Sequence, residues 1–338
     1  MSLMSAKTLC RVLLSICLLL SGFILKANQN NQNSNPTPEP QQVYVGVYLM
    51  NLYDINADAH SFYADLYLWF KWKGDIDPTS IEFVNMVEKW SNTSTLFTDS
   101  AIVLADGYNY NGMRVEGRFF HPFEMERFPI DQHVFDIQIE NTDYPVDSIV
   151  YLPDVENITR KRPSLNLPGW NIKGCQVVNK TQQYSTDFGN SDIGQRAYSN
   201  AVVEVAISRP MAYFILKLML PLFIVLLSSI GGLVIFPSKD YVDARISLPI
   251  GGLLTAVFLQ QSYSDALPDV GYMVLMDKIY LLAYTVIAAV VLEIILAANF
   301  LKRNKHADIA SLQYIERNLA LFLIGGFLTG IILLLYLV

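Results

Sequence analysis

The 338-residue chain is short of charge, of cysteine and of histidine. Only 16% of its residues are Asp, Glu, Lys or Arg, against about 25% in soluble domains. Beside 52% apolar residues, that shortage excludes a purely soluble protein. Basic residues are outnumbered 24 to 31, for a net charge of −7. No nucleic-acid partner is expected, because phosphate binding needs a basic surface. Three cysteines, Cys10, Cys17 and Cys175, exclude a disulfide-dense scaffold and a four-cysteine zinc site. The four histidines show no metal-ligand spacing and there is no G-x-S-x-G element. No enzymatic centre, metal site or cofactor is expected.

What the chain does have is long apolar runs. Lys7 and Arg11 precede Val12–Leu20 and the small residues Ser21, Gly22 and Ala27, which reads as a signal peptide over 1–27. Residues 28–42, mostly Asn, Gln and Pro, read as a disordered leader. Four nearly uncharged stretches follow Pro210. Each is long enough to cross about 30 Å of hydrocarbon as a helix, so helices are expected near 210–236, 243–264, 273–301 and 313–338. Lys217 and Glu293 are charges at membrane depth with no assigned role. Lys239 lies between helices one and two, and Lys302, Arg303 and Lys305 between three and four. By the positive-inside rule those loops are cytoplasmic, and residues 43–209 and the C-terminus lie outside a cell membrane.

The outside half, 43–209, reads as an all-β, immunoglobulin-like sandwich. Tyr44–Tyr53, Ser61–Lys73, Met113–Phe120, His133–Glu140 and Ala201–Ser208 have strand character. Asp106-Gly107, Asn111-Gly112 and Pro168-Gly169 read as turns.

In the second helix, Asp243, Ser247, Gly251, Leu254, Phe258, Gln261 and Asp265 recur at steps of four and three. They share one face, polar at both ends and apolar between. That pattern fits a pore lining or a helix-packing stripe. Pro249, Gly251 and Gly252 favour a kinked or irregular lower end.

The run His121–Phe135 (HPFEMERFPIDQHVF) resembles the loop that names the Cys-loop receptors. The two family cysteine positions fall on His121 and Phe135, as in bacterial pentameric ligand-gated channels. Tyr67-x4-Trp72, Arg209, Pro221, Leu267-Pro268 and Tyr272-x4-Asp277 resemble family segments in the same order. The resemblance implies a homopentamer in a lipid bilayer, with the second helix lining a central pore. Rings of Asp243 and Asp265 would then attract cations, and Leu254 and Phe258 would close the pore by dewetting. It also implies a small-molecule agonist between subunits. Tyr67 matches the complementary-face aromatic. Tyr184 and Tyr198 flank the capping loop that holds Phe188. Phe83 and Asn85 lie in the first binding loop. Glu140 and Tyr144 lie in the second, where Thr142 replaces an aromatic. An amine is the expected agonist, since aromatic faces attract cations. Proton gating through His60, His121 and His133 is the alternative; a non-conducting membrane-anchored module is a further one. Asp131, Arg209, Pro268 and Tyr272 would couple the two halves.

Overall fold

The computed structural model describes residues 39–156, 160–189, 196–265, 267–304 and 308–337. The signal-peptide segment and most of the leader lie outside the described residues. The strands are β1 (Gln41–Asn56), β2 (Ser61–Trp72), β3 (Ile81–Phe83), β4 (Met86–Val87), β5 (Thr93–Leu96) and β6 (Ile102–Val103). They continue with β7 (Asn109–Phe120), β8 (Gln132–Asn141), β9 (Ile149–Pro153), β10 (Asn171–Gln183) and β11 (Ala197–Ser208). Gln41 and Gln42 belong to β1, so the strand begins inside the expected leader.

Two sheets form. One runs β4-β7-β2-β1-β9, with β5 and β6 also paired to β7; the other runs β10-β11-β8-β3. Period-2 alternation buries one face of each. Val43, Val45, Val47 and Leu49 of β1 point inward, as do Phe62, Leu66, Leu68 and Phe70 of β2. Phe135, Ile137 and Ile139 of β8 and Val203, Val205 and Ile207 of β11 face them. Phe62 stacks on Phe135 across the sheets at 4.4 Å between ring centres.

Asn111 and Gly112 lie inside β7 and make no turn. Asn111 is held by Thr98, whose carbonyl accepts from its Nδ2 at 3.1 Å. A Cβ on Gly112 would sit 2.4 Å from the Phe97 ring. The dipeptide serves a close cross-strand approach, which reads like turn chemistry in sequence.

The chain leaves β11 through a π-helical segment, Tyr213–Met219. Four helices follow: α1 (Leu220–Val234), α2 (Val242–Ser264), α3 (Leu275–Arg303) and α4 (Ile309–Leu337). With the π segment included, all four are long and apolar enough to cross a membrane. Pro249 is buried within α2, and a 3-10 turn, Lys239–Tyr241, leads into the lower end of the helix. Gly252 lets α2 approach α1: a Cβ there would meet Ser229 Oγ at 1.9 Å.

Candidate functional site: an acidic aromatic cleft, a junction and an exposed helix face

Strand register assembles the cleft. Glu82 of β3 pairs with Glu140 of β8, and Glu140 pairs with Asn200 of β11. Phe83, Ile139 and Ala201 beside them turn into the core, so these three share the outer face of the smaller sheet. Glu140 is buried. Tyr184 Oη donates to its Oε2 at 2.9 Å, and Asn200 Nδ2 to its Oε1 at 2.9 Å. Burial raises the Glu140 pKa above the ordinary glutamate value and outweighs the two hydrogen bonds; Glu82 adds to the rise. The Tyr184 phenol is pushed up to about 12, by burial first and then by Glu140. Tyr184 meets Phe188 at 5.4 Å and Tyr198 at 5.9 Å, both edge-on. Glu82, Glu140, Asn141, Thr142, Tyr184, Phe188 and Tyr198 line a cleft of ≈ 400 Å³. Two carboxylates and three rings with no basic side chain suit a small cation.

Phe83 and Asn85 do not line this cleft. Phe83 packs in the core against Phe119 at 5.9 Å. Asn85 spans two strands, donating to the Phe120 and Asp136 carbonyls and accepting from the Gln138 N–H. Tyr144 borders a neighbouring cleft with Arg196. Tyr67 lies on the larger sheet, beside Phe97 and below the Arg114 guanidinium. One chain therefore separates Tyr67 from Tyr184 and Tyr198. Glu82 was missed in sequence; the alternation that turns Phe83 inward turns Glu82 outward.

The junction of the two halves centres on Asp131. Arg209 Nε donates to its Oδ1 at 2.8 Å and Oδ2 at 3.0 Å. The Arg209 N–H donates to its carbonyl at 3.3 Å. His133 Nε2 lies 3.0 Å from Oδ2. Burial would raise the Asp131 pKa, but His133 and Arg209 outweigh it and hold the carboxyl below the ordinary aspartate value. Trp170 and Phe128 flank the Arg209 guanidinium at 4.2 and 5.0 Å. Below it, the Met125 N–H donates to Tyr272 Oη at 2.9 Å, and the Leu275 N–H to the Glu126 carbonyl at 2.8 Å. Phe128 stacks on Tyr263 of α2. Pro268 borders a cleft with Asp269, Tyr272 and Asp277. Sequence reading missed Trp170, Leu275 and Tyr263 as junction residues.

At the other end of the helices Arg245 of α2 is buried, 1% exposed, against Glu316 of α4, 0% exposed. Arg245 Nη2 donates to Glu316 Oε1 at 2.6 Å, and its Nε to the Gly232 carbonyl at 3.0 Å. This pair was not foreseen, because 71 residues separate its members. Lys217 and Glu293 do not pair with each other: Lys217 sits over Tyr213, and Glu293 borders a cavity between α3 and α4.

The buried side of α2 is Arg245, Pro249, Gly252, Ala256 and Tyr263. Asp243, Ser247, Gly251, Leu254, Phe258, Gln261 and Asp265 are all exposed on the single chain. Ser247 Oγ donates to the Asp243 carbonyl at 2.6 Å and Gln261 Nε2 to Asp265 Oδ1 at 2.6 Å.

No family profile matches the chain. Over 298 residues it is 24% identical to the proton-gated ion channel of Gloeobacter violaceus, covering 82% of this chain and 79% of that one. That match spans the β half and the helices together, and the four apolar helices agree with it. The chain is similar to that ion channel along most of its length. Four membrane-crossing helices and likeness to an ion channel rather than to an enzyme make it a multi-pass membrane protein. In this chain the missing loop disulfide is replaced by rings: His121 and Phe135 meet edge-on at 4.8 Å.

Proposed function

We propose that five copies of the chain form a cation-selective channel opened by a small extracellular amine. The carrying observation is the cleft: Glu82 and Glu140 beside Tyr184, Tyr198 and Phe188. An ammonium group would gain two carboxylates and three ring faces there. Tyr67, on the opposite sheet, would close the cleft from the next copy. Cation selectivity is supported by the exposed face of α2, which carries Asp243 and Asp265 at its ends. Arg245, two residues from Asp243, is committed to Glu316 and leaves the acidic ring uncancelled. The large β half and the C-terminus would lie outside the cell, following the basic loops.

A second reading, opening by protons, is favoured by the raised pKa of Glu140 and by the proton-gated relative. Recording from cells expressing the full chain separates the two. Primary amines at constant pH should evoke a current reversing at the cation potential in asymmetric salt. Current on acidification alone selects proton gating instead. An anion reversal potential rejects the selectivity in either case.

A further inference from the structure

Two buried histidines behind the junction lie in a row between two aspartates. His133 Nε2 lies 3.0 Å from Asp131 Oδ2. His133 Nδ1 lies 3.5 Å from His121 Nε2. His121 Nδ1 faces Asp136 Oδ1 at 3.8 Å and has no hydrogen-bond partner. Both rings are less than a tenth exposed. The charged groups facing them are Asp131, Asp136 and, through Asp131, Arg209. Other neighbours bring no charge: Phe62 from β2, Phe123 from the preceding loop, Phe135 from β8 and Trp170 from before β10. The His60 carbonyl accepts from the His121 backbone N–H at 2.7 Å.

The row has three gaps: aspartate to imidazole, imidazole to imidazole, and imidazole to aspartate. Each gap needs one hydrogen. Two neutral imidazoles carry two. If His133 donates to Asp131 and His121 to His133, the lone pair of His121 Nδ1 faces the Asp136 carboxylate. If both tautomers reverse, the lone pair of His133 Nε2 faces Asp131 instead. Every neutral arrangement leaves one gap short of a hydrogen, either a lone pair against a carboxylate or two lone pairs facing across the 3.5 Å imidazole gap, in a buried site where such a mismatch is costly. Both carboxylates hold their charge. Burial would raise the pKa of each, but His133 and Arg209 lower Asp131, and His121 and Gln138 lower Asp136. A third hydrogen therefore belongs on an imidazole, which then donates from both ring nitrogens.

We infer that the His121–His133 pair is a proton-binding site that takes up one proton on acidification and ties it into the Asp131–Arg209 junction. Asp131 Oδ2 is shared between His133 and Arg209. An imidazolium there changes the charge that Arg209 meets where β11 enters the membrane half. The site acts on coupling and stands whichever agonist opens the channel.

Thermal unfolding of the purified full-length protein in detergent tests this without any current. The wild-type midpoint should rise between pH 8 and pH 5.5, by about 2–4 °C. His121→Gln keeps a polar side chain but cannot take the proton, and should abolish the rise. Asp136→Asn is the sharper variant: its amide supplies the third hydrogen directly. Its midpoint at pH 8 should equal or exceed wild type, with the rise again lost. A flat wild-type profile, or equal rises in all three proteins, overturns the site. A channel that fails to conduct leaves these curves unchanged, so failure of the amine reading and failure of this site are distinguishable.

Discussion

Two of the molecule's arginine–carboxylate pairs, Arg209–Asp131 and Arg245–Glu316, are built differently. At the junction, Asp131 is saturated: Arg209, His133 and two aromatic flanks surround one ion pair. At the far end of the helices, Arg245 meets Glu316 with little else. Glu316 Oε2 is buried without a hydrogen-bond partner among the described residues. The first pair lies where the β half meets the helices, and its many contacts fix a geometry. The second lies at membrane depth, where an uncompensated charge is expensive, and its main task is to neutralise.

The sharpest way to break that contrast is to remove one charge at the sparse pair. Glu316→Ala strands Arg245, at a cost of about 3–5 kcal/mol. Assembled protein should be lost on size-exclusion chromatography. Arg245→Met with Glu316→Met should restore it, since replacing both charges by apolar groups is often neutral or better. A single variant that assembles normally would show that the pair neutralises nothing.

Arg209→Ala should come next in size. Its side chain is 19% exposed, so water compensates part of the loss. The protein should reach the surface and carry no agonist-evoked current. Arg209→Lys should not rescue, because an ammonium cannot span Trp170 and Phe128 while donating to both Asp131 oxygens. Normal current in either variant rejects the junction as the coupling element.

A smaller effect separates the pairs by pH. The Asp131 pKa is depressed in the fold. Its contribution to stability is therefore intact above the ordinary aspartate value of about 3.9 and lost as pH falls below it. Unfolding midpoints from pH 5 to 3 should drop in wild type and drop less in Asp131→Asn.

The smallest effect belongs to the cleft. Tyr184→Phe removes a hydrogen bond to a carboxylate, a contact of about 1.5–3 kcal/mol. Glu140, freed of one opposing contact, becomes easier to protonate. The amine concentration for half response should rise roughly tenfold, and more at pH 6 than at pH 8. An unchanged response would place the amine elsewhere.

The sequence exposed the junction far better than the cleft, and the reason is physical. Asp131 and Arg209 sit in an ordered set of segments whose resemblance spans both halves. The four helices announce themselves by the absence of charge, which hydrocarbon demands. Alternation decides finer matters that a segment match leaves open. It turned Glu82 rather than Phe83 toward the cleft, and gave the Asn85 amide to backbone groups. Arg245 and Glu316 each look like an ordinary charge near a helix end. Only their packing makes them a pair. Asn111-Gly112 misleads because close strand approach and tight turns select the same residues.

Pro249 has no N–H, so the carbonyl of Arg245, four residues earlier, loses its helical donor. That oxygen lies against Gly232, where a Cβ would come within 2.6 Å of it, while Arg245 Nε reaches back to the Gly232 carbonyl. α2 is thus pinned to its neighbour at one level. A rod pinned near one end behaves as a lever. Gly252 stands about 10 Å along it from Arg245 and Asp265 about 30 Å. Any small tilt about the pin carries Asp265 roughly three times as far as Gly252. Small pushes at Tyr263, beneath Phe128, are applied near the long arm's tip, where the least force turns it.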